Sequence, residues 1–190
     1  MISSRGDLLT RLRRDALRRG QFTLASGRPS DYLIDCKRVV LTAEGHRLVG
    51  EVVCDLLCAE GLEIDAVAGV ELGGCPLASA VSLTSALRGL GPQGRGWDAV
   101  YVRKAPKAHG SAAAVEGLHP PTGRPLRVCL LEDVLTTGGS SLRAVEALRS
   151  AGAEVAALRA LVDRGEGARG ALAAAGVEAR ALFGREELLA

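Results

Sequence analysis

Short apolar runs of strand length alternate with helix-length segments along this chain, which predicts an α/β fold with a mostly parallel central sheet flanked by helices. Three observations carry that expectation. The stretches "IDAVAGV" (64–70), "DAVYVRK" (98–104), "LRVCLLED" (126–133) and "VAALRALVD" (155–163) are near-continuous apolar runs, as strands buried on both faces must be. Helical patterns lie between them. The 190 residues, 47% of them hydrophobic, suffice for one substantial core, so one domain spanning 1–190 is expected.

In chain order, Leu8, Leu9, Leu12, Ala16 and Leu17 recur every three to four residues, which predicts an amphipathic helix over 7–19. "FTLASGRPSDYLID" (22–35) ends helicity at Ser26, Gly27 and Pro29. From Thr42, a residue suited to cap a helix start, Leu48, Val49, Val52, Val53, Leu56 and Leu57 share one face as far as Gly61. The first central strand follows and closes on Glu71, Gly73 and Gly74, with an alanine-rich helix after Pro76. "RGLGPQGRGW" (88–97) reads as a surface loop, and "KAPKAHGSAAAVEGLHPPTGRP" (104–125) is longer than an ordinary connection, a length that points to a functional lid or a disordered segment. "GARGALAAAG" is a helix by alanine propensity.

Charge narrows the possible partners. Twenty-four Lys and Arg against 22 Asp and Glu leave +2, too little field to recruit nucleic acid or an anionic membrane. No stretch approaches the ~18 apolar residues of a membrane span, and the N-terminus lacks an apolar secretion core, so a cytoplasmic protein is expected. Five cysteines without metal-ligand spacing read as reduced, structural thiols.

The most informative stretch is "LLEDVLTTGGSS" (130–141). Ligands of open parallel sheets sit beyond the carboxyl ends of strands. Glu132 and Asp133 would emerge there, and Thr136, Thr137, Gly138, Gly139 and Ser140 would turn the chain into a helix beginning near Ser141. Glycines let backbone N–H groups converge, hydroxyls add donors, and the helix N-terminus adds partial positive charge. Such a turn holds a phosphate monoester without a lysine, and it is not a Walker loop because no G-x-x-x-x-G-K-[ST] occurs. Carboxylates beside it suit sugar hydroxyls, so the pair points to ribose 5-phosphate.

This stretch resembles the phosphoribosyl diphosphate (PRPP) signature of type I phosphoribosyltransferases. Together with "FTLASGRPSDYLID", "RKAPKAHG" (103–110) and "VDRGEG" (162–167), in that order, it resembles orotate phosphoribosyltransferases over nearly the whole chain. The resemblance implies transfer of the phosphoribosyl group from PRPP to orotate, giving orotidine 5′-monophosphate and diphosphate. It also implies Mg²⁺ held mainly by PRPP and water, with no dedicated protein metal site. The fold it implies adds an N-terminal hood over 1–41 and a mobile catalytic loop over 103–118, shared across a homodimer.

Departure of diphosphate from ribose C1 leaves positive charge on the sugar and negative charge on the leaving oxygens. Arg103, Lys104, Lys107 and His109, four potential cations within seven residues, suit a loop that closes over that diphosphate and excludes water. The resemblance places orotate at Ser26, Gly27, Tyr32, Thr136 and Arg164, and a guanidinium at 164 has the planar fork that grips a carboxylate. Where many relatives carry a first-loop lysine, Ala25 stands here; in "VELGGCPLA" (70–78) Cys75 replaces a frequent Asp, so Gly73 and Gly74 offer backbone N–H groups instead. Two other functions share the PRPP turn: a purine phosphoribosyltransferase, against which the basic loop and Arg164 argue, and a non-catalytic PRPP-sensing regulator, which would be expected to carry a nucleic-acid-binding domain or strong basic face.

Overall fold

The computed structural model describes residues 4–23, 27, 29–104 and 114–190. Its centre is a six-stranded sheet ordered β5-β4-β3-β6-β7-β8. The strands are β3 (Ala66–Val70), β4 (Asp98–Val102), β5 (Val115–Glu116), β6 (Leu126–Leu135), β7 (Ala153–Asp163) and β8 (Ala179–Gly184). All neighbouring pairs are parallel except β4–β5, so the sheet is mostly parallel as expected.

Burial follows the period of two that a strand imposes. Ala66, Ala68 and Val70 of β3 and Val128 and Leu130 of β6 pack in one core, against α5 (Gly139–Ser150) and α6 (Ala168–Ala174). Val67, Cys129 and Leu131 point to the other core, against α1 (Ser4–Arg11), α3 (Ala43–Ala59) and α4 (Gly74–Leu87). With both faces covered, the central strands have no solvent face, which is why they read as unbroken apolar runs.

Helix α3 begins where expected. Thr42 caps it, its Oγ1 accepting from the Gly45 N–H at 3.1 Å. The first helix is shorter than the 7–19 periodicity suggests: α1 ends at Arg11, a π-helical turn covers Leu12–Ala16, and β1 (Leu17–Thr23) follows. Pairing with β2 (Pro29–Ile34), which sets Leu17 opposite Ile34, overrides helical propensity there. Asp35 then donates its N–H to the Ala16 carbonyl, and the short α2 (Lys37–Val40) leads to Thr42. Helix α4 starts two residues before Pro76, which occupies its first turn, where a missing N–H costs nothing. β8 and the terminal α7 (Arg185–Leu189) carry little apolar pattern in sequence; the buried Arg159 of β7, bonded to Glu60 at 2.7 Å and Glu178 at 3.0 Å, ties this edge down.

All five cysteines are free thiols; Cys36, Cys54 and Cys129 are buried, as structural residues are, whereas Cys58 is exposed and Cys75 half-buried. No helix among the described residues is long and apolar enough to cross a membrane.

Helices α3 and α4 meet at Gly50. A Cβ there would fall 2.1 Å from Thr84 Oγ1 and 2.8 Å from the Ala80 carbonyl oxygen, and a backbone oxygen cannot rotate away. Gly50→Ala is therefore expected to destabilise the fold by about 1–3 kcal/mol through overpacking, despite alanine's better helix propensity, as read by urea unfolding.

Candidate active site

β6 delivers two adjacent acids to the carboxyl end of the sheet, and the strand's alternation sends them to opposite faces. Glu132 follows Leu131 and turns toward α5. Its Oε1 accepts from Ser141 Oγ at 2.9 Å and from Ser140 Oγ at 3.3 Å, and the residue is only 5% exposed. Desolvation pushes its carboxyl up to about 7, with the Ser141 and Ser140 hydroxyls opposing and the charge of Asp133 reinforcing the rise. Asp133 turns to the other face, where it accepts from the Val134 N–H at 2.9 Å. Burial also raises its carboxyl, partly offset by that N–H and by Lys37.

Gly73 makes the position of Asp133 possible. A Cβ at 73 would sit 2.2 Å from Asp133 Oδ2, so only glycine lets the carboxylate lie against this loop. Gly74 packs as tightly, its Cβ position 2.6 Å from the Leu131 carbonyl oxygen, which seats the N-terminus of α4 on the ends of β3 and β6. Glycines 73 and 74 thus stand beside the acid pair.

The turn Thr136–Ser140 lies between β6 and α5, and α5 starts at Gly139, two residues before Ser141. Gly138 takes a left-handed conformation (φ 86°), open to glycine at little cost, and its carbonyl accepts from the Leu142 N–H. The Thr136 carbonyl accepts from the Ala168 N–H at 3.2 Å, tying the turn to the start of α6.

At the end of β7, Arg164 is 4% exposed, with its N–H bonded to the Leu135 carbonyl. Its guanidinium stacks over the Tyr32 ring at 4.5 Å and donates from Nη2 to Ser30 Oγ at 3.2 Å. Its Nε forms an ion pair with Glu166 at 2.8 Å, outside hydrogen-bond alignment. Asp163 instead pairs with Arg169 and accepts from the Gly165 N–H. Tyr32 and Arg164, 132 residues apart in sequence, therefore share one wall. Gly27 lies at the tip of the β1–β2 hairpin with φ 78°; Ser26 lies outside the described residues.

Arg103 and Lys104 follow β4 at the same end of the sheet. Arg103 Nε pairs with Glu116 Oε1 at 3.3 Å, and Lys104 is exposed and close enough to Glu132 to favour its ionised form. Lys107 and His109 fall outside the described residues. Sequence reasoning missed two positions, one beside the acids and one beside Arg164. Lys37, paired with Asp35 at 2.7 Å, faces Asp133 because Cys36 Sγ approaches the Asp133 carbonyl at 3.7 Å. Ser30 takes the Arg164 contact. Neither has a sequence signal, because both depend on how the hairpin docks on the sheet.

A larger cavity, about 700 Å³, lies at the other end of the sheet between Leu62, Trp97 and Arg127. The acids, the glycine turn and the cations all lie away from it, at the carboxyl end where open parallel sheets hold their ligands.

Glu132 has a sign-definite effect on stability. A carboxyl raised from 4.5 to about 7 on folding favours the folded state fully below about pH 4.5, and that contribution is lost as pH rises through 7. Glu132→Gln has no proton to lose. Its stability relative to the unsubstituted chain should therefore improve from pH 5 to pH 8, by up to about 3 kcal/mol, in urea titrations at each pH; a constant difference would contradict the buried, perturbed carboxyl.

Comparison with known proteins agrees with this arrangement. The phosphoribosyl transferase domain family matches residues 54–173. The orotate phosphoribosyltransferase of Sorangium cellulosum is 53% identical over 98% of this chain and 94% of its own. That of Mycobacterium tuberculosis H37Rv superposes with a TM-score of 0.80 at 35% identity, covering 98% of this chain and 99% of the other. The same enzyme's structure with PRPP gives 0.76 at 32% identity, covering 99% and 100%. With the acid pair, the glycine turn and the Tyr32–Arg164 wall assembled on a sheet of this order, the chain belongs to the orotate phosphoribosyltransferase family of type I phosphoribosyltransferases.

Proposed function

We propose that this chain transfers the phosphoribosyl group of PRPP to orotate, giving orotidine 5′-monophosphate and diphosphate. One observation carries this reading: the acid pair, the Thr136–Ser140 turn, the Gly73–Gly74 loop and the Arg103–Lys104 root meet at one end of the sheet. Thr136, Thr137, Gly138, Gly139 and Ser140 hold the 5′-phosphate through amides and hydroxyls at the start of α5. Asp133 accepts from ribose hydroxyls, with Glu132 stiffening the strand end through its serine contacts as well as facing the sugar. Amides of Gly73 and Gly74 face the diphosphate.

In the reaction the C1–oxygen bond to diphosphate breaks and a bond from C1 to an orotate ring nitrogen forms. Positive charge on the sugar grows as negative charge leaves with the diphosphate. Arg103, Lys104, Lys107 and His109 on the 103–118 loop neutralise the latter and shut out water. Arg164 grips the orotate carboxylate while Tyr32 and the hairpin of the 1–41 hood, including Ser26 and Gly27, confine the ring; Thr136 closes the same pocket. The oxygen-rich donor set suits a hard divalent cation. Mg²⁺ would be carried mainly by the PRPP phosphates and water, which meet its preference for oxygen ligands without a dedicated protein cage. When bound, it supplies charge neutralisation to the leaving group.

A homodimer sharing this loop completes the reading. Exposed Leu83 and Leu87 on α4 and Tyr101 on β4 offer a second copy apolar surface.

Mixed with PRPP, Mg²⁺ and orotate, the protein should deplete orotate absorbance and leave adenine, hypoxanthine and uracil untouched, while sedimenting as a dimer. Consumption of a purine in place of orotate, or a monomer at assay concentration, would defeat the corresponding half of this proposal. Arg164→Lys should raise the orotate KM far more than that for PRPP, because a lysine keeps the charge and loses the bidentate fork; equal rises would remove Arg164 from the base site.

A further inference from the structure

The turn before α5 has the amides and hydroxyls for a phosphate but no cation of its own, and the structure supplies one from the next helical turn. Arg143 lies four residues after Gly139, so the two share a helix face. Its Nη1 reaches back to within 3.7 Å of where a Cβ on Gly139 would be. Arg143 also lines a small cavity of about 140 Å³ with Ser140, Arg103 and Lys104, bounded by Val70, Val102 and Ala144.

Two further facts suggest what this arrangement is for. Arg103 in the same cavity is held by Glu116, whereas the exposed Arg143 has no ion-pair or hydrogen-bond partner among the described residues. Gly139 has no positive φ, so its backbone does not require glycine. A bare Cα there keeps the gap between the guanidinium and the first amides of α5 open to an oxyanion.

We propose that Arg143 is a further phosphate-binding residue, closing over the monoester held by the Thr136–Ser140 turn and joining that turn to the basic loop root through one pocket. The inference rests on the reading of the turn given above. The ligand chemistry is a phosphate oxyanion, and the geometry assigns it to the 5′-phosphate rather than the diphosphate, because the arginine reaches back along α5 to Gly139. A planar guanidinium adds up to two charge-assisted hydrogen bonds to such a group.

Calorimetric titration of the full chain with ribose 5-phosphate and, separately, inorganic diphosphate tests this. Arg143→Ala should weaken ribose 5-phosphate by about tenfold, the scale of one charged hydrogen bond, and flatten the salt dependence of its binding. Diphosphate affinity should stay unchanged, and Arg143→Lys should recover part of the loss. Unaltered ribose 5-phosphate binding in Arg143→Ala, or an equal or larger loss for diphosphate, would overturn the assignment while leaving the turn in place. Failure of the unsubstituted chain to bind ribose 5-phosphate would overturn the reading of the turn as well.

Discussion

Withdrawing two carboxylates from water at the end of a strand costs several kcal/mol unless their oxygens find donors, and the architecture around β6 is arranged to meet that cost. Because successive residues of a strand face opposite ways, the two acids cannot share one environment. Glu132 takes hydroxyls from the start of α5, and Asp133 takes a backbone N–H of its own strand and lies against the start of α4. Two helices that belong to different layers are thereby registered on a single dipeptide. The Thr136–Ser140 turn, the glycine loop and the N-terminal corner at Cys36–Lys37 converge because each is attached to one side of that dipeptide.

Much of this was legible in the chain. The central strands announced themselves by unbroken apolar runs, since a sheet covered on both faces has no polar side to display. Glu132 and Asp133, with Thr, Gly and Ser from 136 onward, marked the approach to the turn; β6 runs on through Val134 and Leu135, and α5 starts two residues earlier than the reading placed it. Thr42 capped its helix as its type suggests.

What stayed hidden depends on docking. The leucines that continue the α1 pattern into residue 17 are equally suited to a hairpin edge, and only the pairing of Leu17 with Ile34 decides between them. β8, with Ala179, Arg180 and Ala181, has a weak strand pattern and relies on Arg159, whose ion pairs form only after folding. Ser30, Lys37 and Arg143 approach the site through helix and hairpin placement, for which linear spacing gives no cue. Their neighbours in sequence, by contrast, carry the obvious motifs.

The contact between Gly73 and Asp133 has an evolutionary corollary. A side chain at 73 and a full-length carboxylate at 133 compete for the same space, at 2.2 Å. Relatives that place a bulkier residue in the α4 loop must therefore swing their acid elsewhere or shift the loop outward, so the two positions should drift as a pair and not singly. A chain carrying glycine there, as this one does, trades a side-chain donor in the loop for room in which its acid can lie flat.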